Sequence, residues 1–212
     1  MKKAFTLLEL VFIIIIIGIL IVAIIPKIQT NPVREAAIQL VSHIRYTQHL
    51  AMMDDRFDRT DSGWHKELWQ IRFTNDTSTS NNVPAYVIFS DWIGGHTSHP
   101  EVDECAVDPL TGLLINGGVV NINYDDPRLL QEANLGNTYG INNISFSNSC
   151  RISGSMRIAF DHLGRPIRGN ISGEDSVTDL RYIQTTCEIT LSNGSESSVI
   201  LIEPETGYTH IQ

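Results

Sequence analysis

Residues 5–25 form an almost unbroken apolar run, and this run limits what the chain can be more than anything that follows. Between Phe5 and Ile25 the only clearly polar side chains are Thr6 and Glu9. As a helix the run would extend roughly 31 Å, enough to cross a hydrocarbon core. Lys2 and Lys3 precede it and no basic cluster follows closely, so the positive-inside rule leaves the amino end in the cytoplasm and the rest beyond the membrane. Glu9 is costly in that setting, about 3 kcal/mol even on lenient insertion scales. No Lys, Arg or His follows until Lys27, too far along the same helix to reach it. Its partner is then a new amino terminus nearby or a group on another chain. A secretory signal peptide fits poorly, because its apolar core spans about 7–15 residues, ends in a small-residue cleavage site and carries no acid ahead of the core. A plain single-pass anchor satisfies the hydropathy and leaves Glu9 unexplained.

A short basic leader, a small residue, then Phe-Thr-Leu-Leu-Glu-Leu and an Ile-rich stretch resembles the class III signal of type IV pilins and pseudopilins. The resemblance covers roughly residues 1–30. It implies cleavage by a prepilin peptidase between Ala4 and Phe5, N-methylation of Phe5, and a role for Glu9 in meeting the freed amine of a neighbouring subunit during assembly. It also implies the partners: other pilin or pseudopilin subunits, the peptidase, an inner-membrane assembly platform and membrane lipid. The family usually has Gly before the cut, where this chain has Ala4, which keeps the small size.

The chain after the anchor, about 185 residues, suits one globular domain with a real core. Its charge is −9, with 24 acidic against 15 basic side chains, and loss of Lys2 and Lys3 with the leader makes it more acidic still. Such a body argues against a broad electrostatic grip on DNA, although Arg151, Arg157, Arg165, Arg168 and Arg181 gather in the last third. An oxidising compartment permits disulfides among Cys105, Cys150 and Cys187. Cys150 closes one strand-like run and Cys187 lies inside another, which favours that pair over either partner for Cys105 in its irregular loop; three reduced thiols are the alternative.

Within the apolar run Gly18 is a weak point, and Pro26 is a helix break at its exit. Beyond Pro32, Val33, Ala37, Leu40, Val41, Ile44 and Ala51 recur at helical intervals and form one apolar face. This predicts an amphipathic continuation over 26–56. His43 and His49, about 240° apart around a helix, read as surface histidines. Strands are expected at 68–74, 85–90, 115–124, 141–146, 156–160, 182–191 and 198–202, with a short helix at 126–133 begun by Pro127. Asn193-Gly194 signals the last hairpin. The expected fold is α+β and pilin-like: a long N-terminal helix, half transmembrane and half amphipathic, packed on an antiparallel β-sheet. Its parts are a leader at 1–4, a transmembrane helix at 5–25, the amphipathic continuation at 26–56 and a periplasmic β-rich domain at 57–212. The turn Phe160-Asp161-x-x-Gly164-Arg165 and the ending Glu203-Pro204-Glu205-Thr206-Gly207-Tyr208 are similar to the closing region of H-type minor pseudopilins.

Chemical sites are scarce. His96, His99, Asp103, Glu104 and Cys105 lie close in sequence but match no zinc spacing, and Asn121, Asn123, Asp125 and Asp126 form no EF-hand loop. No Gly-x-Ser-x-Gly, Walker loop or His-Glu-x-x-His is present, so no catalytic site, cofactor or metal is expected. The sequence therefore reads as a structural subunit of a type II secretion system or type IV pilus. A DNA-uptake minor pilin and a major pilus subunit are the competing readings.

Overall fold

A threonine begins the first helix. Thr6 sits at its N-cap, where Oγ1 accepts from the Glu9 N–H at 3.3 Å and the carbonyl from the Leu10 N–H at 3.2 Å. From there α1 runs over Leu7–Ile24, straight through Gly18. The computed structural model describes residues 6–24, 31–75, 77–93, 95–96, 99–119, 121–173 and 176–212, with 20–24 as backbone. The chain divides into two units, Met1–Asn31 and Pro32–Gln212.

The expected pilin-like arrangement, one long helix with a transmembrane half laid on one sheet, is corrected on three counts. Among the described residues no helix is long and apolar enough to cross a membrane. A second helix, α2 (Pro32–Met53), opens on a proline, whose fixed φ and missing N–H suit a first helical position, and residues 26–30 of the predicted continuation lie outside the described residues. Finally, the strands make two four-stranded antiparallel sheets.

The first sheet has the order β2-β1-β4-β5, from β1 (Gln70–Thr74), β2 (Ala85–Phe89), β4 (Arg157–Phe160) and β5 (Pro166–Arg168). The second has the order β3-β6-β7-β8, from β3 (Asn143–Phe146), β6 (Cys187–Ser192), β7 (Ser197–Ile202) and β8 (Thr209–Ile211). Helix α2 packs against β6, β7 and β8 of one sheet and β1 and β4 of the other. Its buried stripe, including Val33, Ala36, Ala37, Leu40, Ile44 and Ala51, meets Ile71, Ile88, Ile158 and Phe160 from the first sheet and Ile144, Ile189, Ile200 and Ile202 from the second in one core. The sheets touch through Phe73 and Phe146, edge to face at 5.2 Å.

Two glycine turns lock the end of the chain to α2. Gln48 Nε2 donates to the carbonyls of Gly164 and Thr206, both at 2.8 Å. A Cβ on Gly207 would come within 2.5 Å of the Gly164 carbonyl oxygen, and Gly207 has φ +62, so backbone approach and dihedral both require glycine. The two segments singled out for their likeness to H-type pseudopilins therefore lie back to back.

Several local expectations are corrected. The described residues of 115–124 form no strand: Gly117 and Gly118 pass so close to the backbones of Ala133 and Thr79 that an added Cβ would come within 2.4 Å. Instead the segment caps the free edge of β2, with Ile88 N–H donating to the Ile115 carbonyl at 3.0 Å and Gly117 N–H to Tyr86 at 2.9 Å. No helix begins at Pro127; α3 (Leu135–Tyr139) starts later, with the buried Asn134 accepting from the Asn137 N–H at 3.0 Å. His43 is no surface residue: it is 4 % exposed and its Nδ1 lies 2.6 Å from the Tyr86 hydroxyl. It stands three residues after Leu40 and four before Thr47, on the buried stripe. His49 is exposed.

Candidate functional site

Of the residues singled out at the amino end, Ala4, Phe5 and Pro26 lie outside the described residues, and Gly18 lies within α1. Glu9 is exposed in the first turn of α1, where a carboxylate complements the positive end of the helix dipole. Thr6 and Glu9 hold the positions of a capping box, of which the threonine half is formed. The sequence carried this signal as Thr-x-x-Glu ahead of an apolar run. Around α1 the side chains from Leu7 to Ile19 are exposed, including Leu7, Phe12 and Ile16.

Cys150 and Cys187 form a disulfide with 5.0 Å between their Cα atoms, joining a 3₁₀ turn (Asn148–Cys150) to the start of β6. Cys105 is a buried free thiol that burial pushes up to about 12, which keeps it protonated and unreactive.

The Glu104 carboxylate is engaged by backbone donors. It accepts from the Ile93 N–H and, at 2.7 Å, from the Glu101 N–H, which closes a capping box around a 3₁₀ turn. Asp126 is held by Arg128 at 2.9 Å, and the hydrogen bonds from Arg128 bring its carboxyl down to about 2. A different trio does meet: ligand atoms of Asp61, Glu67 and His96 lie within 4.8 Å of one another, brought from 3₁₀ and loop segments whose order in sequence hides their proximity. His96 Nδ1 lies 2.8 Å from the Asp91 carbonyl.

The arginines of the last third form no continuous stripe. Arg165 Nε donates to Asp161 Oδ2 at 2.8 Å and its guanidinium lies over the Tyr182 ring, while Arg168 donates to the carbonyls of Leu180 and Ser149. Arg157 and Arg181 instead join Arg72 in a cleft of about 630 Å³ on the first sheet's outer face. Phe73 and Met156 contribute apolar surface, and Ser153, Ser155 and Asn170 contribute polar groups. Arg157 Nη1 donates to Gln70 Oε1 at 3.1 Å and Asn170 Oδ1 at 3.0 Å, and its guanidinium lies over the Phe89 ring at 5.4 Å. Burial lowers it to about 9, the charge of Arg72 contributes, and Asp91 opposes the shift. Asn75 also lines the cleft, but its amide is engaged with the backbone of Ile144. Residues 174 and 175, next after Gly173 of the lining, lie outside the described residues.

Comparison with protein-family models, with curated proteins and with solved structures returns no match.

Proposed function

We propose that the chain is a structural, non-catalytic subunit, a minor pilin or pseudopilin, of a type II secretion system or type IV pilus. The observation that carries this reading is α1: a capped helix start, a lone carboxylate in its first turn, and apolar side chains left uncovered from Leu7 to Ile19. So large an apolar surface is a place for contact with other molecules, here lipid and the same segment of neighbouring subunits. In the proposed sequence of events, prepilin peptidase cuts between Ala4 and Phe5, and Phe5 is methylated. The freed amine then meets Glu9 of a neighbour on the assembly platform. In a low-dielectric surrounding each charge is costly alone and tolerated as a pair, which sets the register between subunits. The subunit is held at the bacterial inner membrane with its amino end in the cytoplasm and its body in the periplasm. Lys2 and Lys3 support that orientation, and the Cys150–Cys187 disulfide suits an oxidising compartment. DNA is not among the proposed partners, since Arg165 and Arg168 are engaged within the body.

One experiment tests the reading at both of its steps. Intact-mass measurement should find a mature chain beginning at methylated Phe5, and Glu9→Ala should keep that mass while losing copurification with partner subunits. A terminus at Met1, or undiminished copurification of the variant, would reject the assignment.

A further inference from the structure

The antiparallel register of β1 and β2 sets Gln70 opposite Phe89, so the chain entering β1 and the chain leaving β2 emerge side by side at one end of the first sheet. Ser90 Oγ fastens the two by donating to the Glu67 carbonyl at 2.6 Å. Three side chains meet there. Asp61 precedes a 3₁₀ turn (Trp64–Glu67), Glu67 ends it and His96 follows β2, and their ligand atoms lie within 4.8 Å of one another. The imidazole is already oriented. Its Nδ1 lies 2.8 Å from the Asp91 carbonyl, which can only accept, so Nδ1 carries the hydrogen and the lone pair of the neutral ring is at Nε2. Metal-binding histidines are held in this way, by an acceptor on the other ring nitrogen. Asp61 is oriented as well, through Oδ1, which accepts from the Gly63 N–H at 2.7 Å. Gly63 supplies the gap between these two groups: a Cβ there would stand 3.2 Å from Asp61 Oδ1 and 3.3 Å from His96 Nε2. Its φ is −92, which any residue adopts, so the missing side chain serves the space and not the backbone. Glu67 is the third donor. Arg56 stands 3.9 Å from its Oε2 and is bonded more closely to Asp54, at 2.6 Å, so the Glu67 carboxylate can turn to an ion at little cost to that pair.

We propose that Asp61, Glu67 and His96 bind a divalent transition-metal ion of the zinc class, with His96 Nε2 and one oxygen of each carboxylate as ligands and water completing the set. Two carboxylates balance the charge of the ion, and the imidazole favours zinc-like ions over calcium and magnesium, which take oxygen. Zinc bonds of about 2.1 Å place tetrahedral ligands about 3.4 Å apart. Donors within 4.8 Å of one another then close by about 1.4 Å at most, a movement that side chains on turns can make. The ion ties the approach to β1 to the exit from β2. The inference is separate from the assembly role of α1 and stands without it.

Calorimetric titration of zinc chloride into the full chain tests it, with the chain free of tags, stripped of metal by a chelator and held in mild detergent near neutral pH. Expected is saturable binding of one ion per chain. His96→Ala and Glu67→Gln should each weaken it by about tenfold or more, the loss that even a change behind the ligands causes. Gly63→Ala keeps every donor and narrows the gap between two of them, and should weaken binding too, which scattered surface histidines do not explain. His49→Ala, at an exposed position on α2, should leave it unchanged. Zinc should also raise the melting temperature of the parent and fail to raise that of His96→Ala, a readout that stands even if the variant starts less stable. Calcium chloride at millimolar concentration should not displace the zinc. Lack of saturation below the millimolar range, parent-like binding by any of the three site variants, or calcium bound as tightly as zinc would overturn the proposal.

Discussion

The two sheets have four strands each and share one helix, yet they treat their second faces in opposite ways. In the second sheet β6 alternates Cys187, Ile189 and Leu191 inward with Glu188, Thr190 and Ser192 outward, and Glu188 and Ser145 meet solvent. In the first sheet β2 and β4 are buried at every position. Cys105, Leu114 and Val119 on one side and Trp64, Ile171, Val177 and Tyr182 on the other pack over its outer face, and Gln70, Arg72 and Arg157 run between the two apolar clusters there. A sheet with one wet face needs only its helix and short turns. A sheet with two dry faces needs long covering loops, and in return has a low-dielectric surface where a guanidinium acts more strongly than it does in water. The cleft lined by Arg72, Arg157 and Arg181 lies on the roofed sheet.

The contrast can be broken most severely at the roofed sheet. Phe160→Ala removes a fully buried ring between β4 and α2, and chemical denaturation should show a loss of about 3–5 kcal/mol. Next in size is the disulfide that braces the second sheet. It spans 37 residues, so reduction or Cys187→Ala should cost about 3–4 kcal/mol in the chain-entropy model, read as a shift in urea midpoint with and without reductant.

A smaller effect is expected from pH. His43 faces Tyr86 from β2 and Gln39 from its own helix; burial lowers its pKa, while the charges of Asp108 and Glu132 partly oppose this. The folded state therefore takes up its proton less readily than the unfolded state. The stability contributed by neutral His43 is complete above the unfolded value of about 6.5 and is lost as pH falls through the lower folded value. Melting curves between pH 7.5 and 5 should fall less steeply for His43→Gln than for the parent. The smallest change sharpens the comparison from the other side. Glu188→Ala on the wet face of the second sheet should stay within about 0.5 kcal/mol of the parent by denaturation.

What the sequence made legible follows the same division. Regular alternation and Asn193-Gly194 mark β6 and β7, because a half-exposed sheet writes its two faces as two kinds of residue. The recurrence from Val33 to Ala51 marks the buried face of α2. The roof is illegible: in a run such as Gln70-Ile71-Arg72-Phe73, Arg72 reads as a solvent position, and nothing local announces that Arg157 will stand opposite it. Partners are illegible too, since β1 pairs with β4 across more than eighty residues and periodicity carries no address. With three residues each, β5 and β8 are too short to show a period. The arginine cleft was missed because its three cations come from separated segments, whereas Thr6 and Glu9 lie within one turn and could have been read as a cap.

The clamp between α2 and the chain's end has a consequence for how the protein is made. Gln48 bonds Thr206 across 158 residues and Arg45 bonds the Thr209 carbonyl across 164. A ribosome adding about 5–20 residues each second leaves the nascent α2 without these contacts for on the order of ten to thirty seconds. Throughout that interval its greasy stripe needs a guardian, and a chain ending a dozen residues early would keep the helix and lose the strand that closes over it.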